Sequence, residues 1–86
     1  MSDHWQVVFD EVPFRFLLSR SPRQRALLLR ASELLKSDPL HDADFQSMDA
    51  SGRQLSIRGF RPFLVTYWLD ASVKEVRVLE IELVDS

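Results

Sequence analysis

Three arginines, Arg53, Arg58 and Arg61, fall within nine residues of one another in the second half of the chain. A guanidinium is a rigid fork of donors that matches phosphate bidentately and stabilises the charge of a phosphoryl-type transition state. Tyr67 and Trp68 follow closely and offer aromatic faces on which nucleobases stack. The bland account of the same arginines is pairing with Glu75, Glu80 and Glu82 across neighbouring strands. The residue types alone leave both accounts open.

Other candidates for chemistry are sparser. Glu80 and Glu82 are two apart on a strand and so share a face, as carboxylates doing acid–base work or holding a metal must. No histidine stands beside them, and an exposed polar strand end accounts for them as well. His4 opens a strand and His41 lies in a loop with Asp42 and Asp44, where an imidazole base or a loosely held cation is conceivable beside an ordinary solvated loop. Ser51 and Ser56 lack the strand–turn–helix setting of a nucleophilic serine, and with two glycines there is no phosphate-cradling loop. There is no cysteine, which removes disulfides, thiolate nucleophiles and cysteine-based zinc sites. Neither a metal nor a cofactor is expected.

The chain that must position these groups has 86 residues, enough for a single domain with one core. Its composition, 45% hydrophobic and 28% charged, is that of a globular fold. A net charge of −2 weighs against a dedicated nucleic-acid binder, whose affinity comes largely from neutralised phosphates. The opening Met1-Ser2-Asp3-His4-Trp5 lacks the basic and apolar stretches of a signal peptide, and no apolar run approaches a membrane span. A cytoplasmic location without membrane association is the expectation, in keeping with the absence of cysteine.

Local signals mark the elements. His4–Phe9 carries aromatic and β-branched residues at strand density. Asp10 is placed to cap a short helix that has Pro13 in its first turn and ends near Arg20. Ser21-Pro22-Arg23-Gln24 reads as an N-cap, a proline at the first helical position and the closing residue of a capping box. The helix it opens runs to about Ser37, with Leu27, Leu28, Ala31, Leu34 and Leu35 as its apolar stripe, and stops at Asp38-Pro39. Phe45–Asp49 is a candidate short edge strand, followed by the turn Asp49-Ala50-Ser51-Gly52. Arg53–Phe60, Phe63–Asp70 and Lys74–Val84 are strands, with Arg58–Pro62 as a turn or bulge. The short link between the last two strands forces an antiparallel hairpin.

The fold class is therefore α+β: two N-terminal helices on an antiparallel meander, in the order β-α-α-β-β-β with room for one more edge strand. Alternation along Phe63–Asp70 assigns Phe63, Val65, Tyr67 and Leu69 to the face under the helices and Leu64, Thr66 and Trp68 to the other. Continued into the last strand, the same alternation groups Leu79, Ile81 and Leu83 and places Val76 and Val78 on the helix-free face. Leu64, Trp68, Val76 and Val78, with Arg53 nearby, then form an open-face patch of the kind that receives a partner or is covered by a loop.

Nearly the whole chain resembles the RelE/ParE superfamily of type II toxin–antitoxin toxins. The residues that carry the resemblance are Trp5-Gln6-Val7-Val8-Phe9, two helices ending in Leu34-Leu35-Lys36-Ser37-Asp38-Pro39, Tyr67-Trp68-Leu69-Asp70, and the closing Lys74–Glu82 strand. The resemblance implies a compact toxin bound and neutralised by a cognate antitoxin. Its target would be messenger RNA at the ribosome for RelE-like members or DNA gyrase for ParE-like ones. For a ribonuclease it points to basic residues of the meander and a tyrosine, here Arg58, Arg61 and Tyr67, as catalytic; the open-face patch read from alternation, Arg53, Leu64, Trp68, Val76 and Val78, is the expected binding surface. Leu64 stands where many members have an arginine, three residues before the hairpin tyrosine, and the chain closes on Leu83-Val84-Asp85-Ser86 where ribonuclease members often carry a basic tail. Two other readings compete: a non-enzymatic interaction module on a repurposed toxin fold, and an unrelated small enzyme built on His41.

Overall fold

A computed structural model describes residues 4–84. Seven elements follow one another: β1 (Gln6–Phe9), α1 (Glu11–Ser19), α2 (Pro22–Ser37), β2 (Phe45–Met48), β3 (Gln54–Phe60), β4 (Phe63–Asp70) and β5 (Glu75–Leu83). The strands form one mixed sheet in the order β1-β5-β4-β3-β2. β2 to β5 are an antiparallel meander, and β1 closes the sheet by pairing parallel to β5. The extra edge strand at Phe45 is therefore present, and the expected strand at His4 begins two residues later, at Gln6. The readings of Met1–Asp3 and of Asp85–Ser86 lie outside the described residues.

The punctuation of the helices acts largely as its residue types suggest. Ser21 Oγ accepts from the Gln24 backbone N–H at 3.2 Å, Pro22 occupies the first turn of α2, and the N–H of Asp38 closes the other end on Leu34 O at 3.2 Å. Asp10 does stand at the N-cap of α1, but its side chain makes no capping bond and lies 3.7 Å from the Arg77 guanidinium. Only part of the α2 stripe is core. Leu28, Ala31 and Leu35 are buried, while Leu27 and Leu34 remain 40% and 45% exposed, because one sheet face accepts a narrower stripe than a bundle does.

The core lies between the helices and one face of the sheet. Leu17, Leu28 and Leu35 meet Phe63, Val65, Tyr67, Val76, Val78 and Ile81, and Phe16 packs edge-on against Phe63 with ring centroids 6.1 Å apart. Here the placement of Val76 and Val78 on the open face is corrected: both are 0% exposed and sit in the core. The cause is a β-bulge. Tyr67 pairs with Val78 but Thr66 pairs with Glu80, so Leu79 has no partner in the register and the phase of β5 shifts by one residue there. Val76 and Val78 before the bulge, and Ile81 after it, all face the helices. Uninterrupted alternation counted backward from Ile81 puts the two valines on the wrong side.

Candidate functional site

Residues five apart on a strand point to opposite faces, and that separates the arginines. Arg58 pairs across with Val65 and so faces the helices, on the same side as Ser56, which pairs with Tyr67. Arg53, just before β3, lies on the open face, its guanidinium carbon 4.2 Å from the Trp68 ring centroid and its Nη1 3.9 Å from Asp49. Arg61 is exposed in the β3–β4 turn. The three arginines near in sequence thus occupy three different surroundings. Glu75, one of their suggested partners, is instead bonded by Arg77 at 2.9 Å.

Arg58 and Tyr67 do come together. Tyr67 is 1% exposed, its ring in the core, so the suggestion that the ring stacks on a base is corrected. What Tyr67 offers is its hydroxyl end. Burial pushes the phenol pKa up, and the Arg58 guanidinium pulls it back through its charge and a hydrogen bond, while the charge of Asp44 adds to the rise. Arg58 also lies over Phe60, 5.0 Å from the ring centroid, and its Nη1 is buried without a hydrogen-bond partner. Asp44 accepts the Gly59 N–H at 2.7 Å and so ties the segment after α2 to β3 beside this cluster.

Next to the cluster is a cavity of about 280 Å³ whose walls include His41, Asp42, Gln46, Gln54, Ser56 and Tyr67. Gln54 Nε2 donates to Gln46 Oε1 at 2.6 Å, and His41 Nδ1 lies 3.6 Å from Asp38. His41 is thus beside a concave surface, as the enzyme reading built on it requires. Among the described residues no three His, Asp or Glu side chains converge as a metal ion would need. Gln46 and Gln54 were not among the candidates from sequence. The signal for Gln54 was available in the parity of β3, which sets positions 54, 56 and 58 on one face, but the cavity also needs the loop 39–43, which no periodicity places.

On the open face, Leu64, Thr66 and Trp68 stand where alternation puts them, joined by Leu55 and Ile57 of β3. Leu64 and Trp68 are half-buried by their neighbours. The turn into β3 is held by Asp49, whose Oδ1 accepts from the N–H groups of Ser51 and Arg53 at 2.9 Å and from Ser51 Oγ at 2.6 Å. These bonds, Ser51 Oγ foremost, hold its carboxyl below the ordinary value.

Fold and site together define a small α+β domain with helices on one sheet face and a bare face on the other. No protein-family model and no curated protein matches the chain. Solved structures do. An archaeal RelE–RelB complex from Pyrococcus horikoshii OT3 matches with a TM-score of 0.74 at 13% identity, over 94% of this chain and 96% of that one. The toxin–antitoxin complex RelBE2 from Mycobacterium tuberculosis matches with a TM-score of 0.73 at 21% identity, over 94% and 99% of the two chains. The fold is RelE-like, and the resemblance carried by the sequence is a likeness of the whole architecture.

Proposed function

We propose that the chain is the toxin-like component of a type II toxin–antitoxin pair, bound and neutralised by a cognate antitoxin in the cytoplasm. The observation that carries this reading is the fold likeness over 94% of the chain to two proteins that are each solved in a toxin–antitoxin complex. The bare sheet face and the exposed leucines of α2 supply surface for a wrapping partner. No helix of the described residues is long and apolar enough to cross a membrane. The test is co-expression with the product of the adjacent reading frame. A stable complex, and growth arrest when the chain is expressed alone, are the expected results; the absence of both a partner and arrest overturns the reading.

Within this reading the target is messenger RNA at the ribosome or DNA gyrase. A ribonuclease would draw on Arg58 for a phosphate oxygen, on the neutral Tyr67 hydroxyl as a donor, and on Arg61 at the turn. Arrest lost in Arg58→Ala or Arg61→Ala, with the complex retained, supports nuclease action; arrest unchanged in both argues for a target reached by binding alone. The second reading, a non-enzymatic interaction module, is favoured by Leu64 at the position where the resemblance calls for an arginine and by the depth of Tyr67.

A further inference from the structure

The helix side of the sheet is not packed to its edge. The core draws on β4 and β5, and β2 contributes no residue to it. Gln46 of β2 pairs with Ser56 of β3, which pairs in turn with Tyr67 of β4, so the three form one row across the sheet. With Gln54, two residues back along β3, that row lines the cavity of about 280 Å³. The other wall is the segment 39–43. It is pinned at one end by the bond from the His41 N–H to Asp38 O at 3.2 Å, and beyond the other by Asp44, which accepts the Gly59 N–H at 2.7 Å. Pockets for drug-sized molecules begin at about 300 Å³, so this space suits a smaller ligand.

The lining narrows the ligand further. Gln54 Nε2 donates to Gln46 Oε1 at 2.6 Å, which leaves one carbonyl and one N–H of the pair without a use in that bond. Exchanging O and N in both amides leaves the same two groups. A donor beside an acceptor is what a single glutamine amide offers to adenine, through N6 and N7. Leu40 and Leu69 line the same space and supply apolar contact for a flat ring. Asp42 on the loop wall is an acceptor for ribose hydroxyls. Charge argues against a phosphate: among the described residues that line the cavity, Asp42 is the one carboxylate, and no lysine or arginine is present. Nearby, Asp38 lies 3.6 Å from His41, and Arg58 and Asp44 act on Tyr67 with opposite signs.

We propose that this cavity binds an unphosphorylated purine nucleoside of the adenosine type, its base edge held by Gln46 and Gln54 and its ribose by Asp42. RNA strands carry the same base, but a polyanion brings its phosphates to a wall that holds a carboxylate and no cation. The site lies on the opposite side of the sheet from Leu64 and Trp68, and it requires neither an antitoxin nor a nuclease.

The test titrates the full chain with adenosine, followed by calorimetry and by amide shifts. Expected is saturable binding with a dissociation constant of about 1 mM or tighter, and shifts centred on Gln46, Gln54, Ser56 and the segment 39–43. Purine riboside, which lacks the N6 amine, should bind about tenfold more weakly, because it leaves the carbonyl of the glutamine pair unmatched. Adenosine monophosphate should also bind more weakly than adenosine, and Asp42→Ala should narrow that gap. Gln54→Leu, checked for an unchanged circular dichroism spectrum, should erase the preference for adenosine over purine riboside. Gln46→Leu, on the edge strand, carries the same test if the first variant does not fold. Absence of saturable binding, equal affinity for purine riboside, a preference that survives both glutamine variants, or shifts centred on Leu64 and Trp68 overturns the inference. So does tighter binding of tetra-adenylate than of adenosine, which would make the site an RNA contact. Growth arrest by a chain that does not bind adenosine defeats the inference and leaves the proposed function standing; adenosine binding by a chain with neither partner nor arrest does the reverse.

Discussion

Tyr67 is the single tyrosine of the chain, so its ionisation can be followed by absorbance at 295 nm without interference from another phenol. Burial raises its pKa above the ordinary 10.0 against the opposing pull of Arg58. The midpoint of the phenolate absorbance should therefore lie above that value in the folded protein, and Arg58→Ala should move it higher still. Because the folded pKa lies above the unfolded one, the native state holds its proton longer, and stability is full below about pH 10 and falls as pH rises beyond it. Denaturation series at pH 8 and above check the sign. Asp49 is the opposite case: its carboxyl is lowered by the bonds from Ser51 and Arg53, so its contribution is present above the unfolded value near 3.8 and is lost as pH falls. Asp49→Ala should flatten the acid limb of the stability curve. At this scale the candidates were partly legible. Tyr67 and Arg58 were identified by residue type, but their juxtaposition follows from the β3–β4 register, and Arg53 and Arg61 were separated from them by strand parity and a turn.

Among the elements, α2 is the most local in origin. Ser21→Ala should cost about 1 kcal/mol in a urea melt, the usual value of an N-cap bond, with the fold intact. The sheet is less local. The bulge at Leu79 makes an unusual prediction: deleting Leu79 should leave a folded protein, because the Thr66 and Tyr67 pairings on either side then join without a spare residue. Deleting Thr66, on the opposite strand, moves Trp68 toward the core and should abolish cooperative unfolding. Thermal melts of the two deletions decide it. The bulge also explains why the last strand was misread. Lys74–Val84 shows two apolar phases, Val76 with Val78 and Ile81 with Leu83, and a one-residue slip between them has no mark in composition.

For the whole molecule, the dimensions are those of a two-layer slab, 35 × 33 × 23 Å over the described residues, thick enough for one sheet and one helix layer. A domain of this size has modest stability, so a partner that binds only the folded chain should show strongly in its melting. At a partner concentration 100 times the dissociation constant the gain is about 2.7 kcal/mol. At about 4–8 °C per kcal/mol for a small domain, a partner of the kind the proposed function calls for should raise Tm by roughly 10–20 °C at that concentration, readable by calorimetry of the chain with and without it.

By itself the sequence determined the order and type of the elements, the caps of α2, the faces of β4 and the antiparallel meander. All of these arise from contacts within a few residues: a serine and a proline ahead of a helix, alternation along a strand, a short turn. Tertiary structure alone decided that β1 runs parallel to β5, that Val76 and Val78 belong to the core, and that Arg58 lies at the Tyr67 hydroxyl while Arg53 lies over Trp68. Each of these depends on which residue faces which across neighbouring strands. That register comes from the packing of the whole sheet against two helices, and a single unpaired residue at Leu79 is enough to shift it.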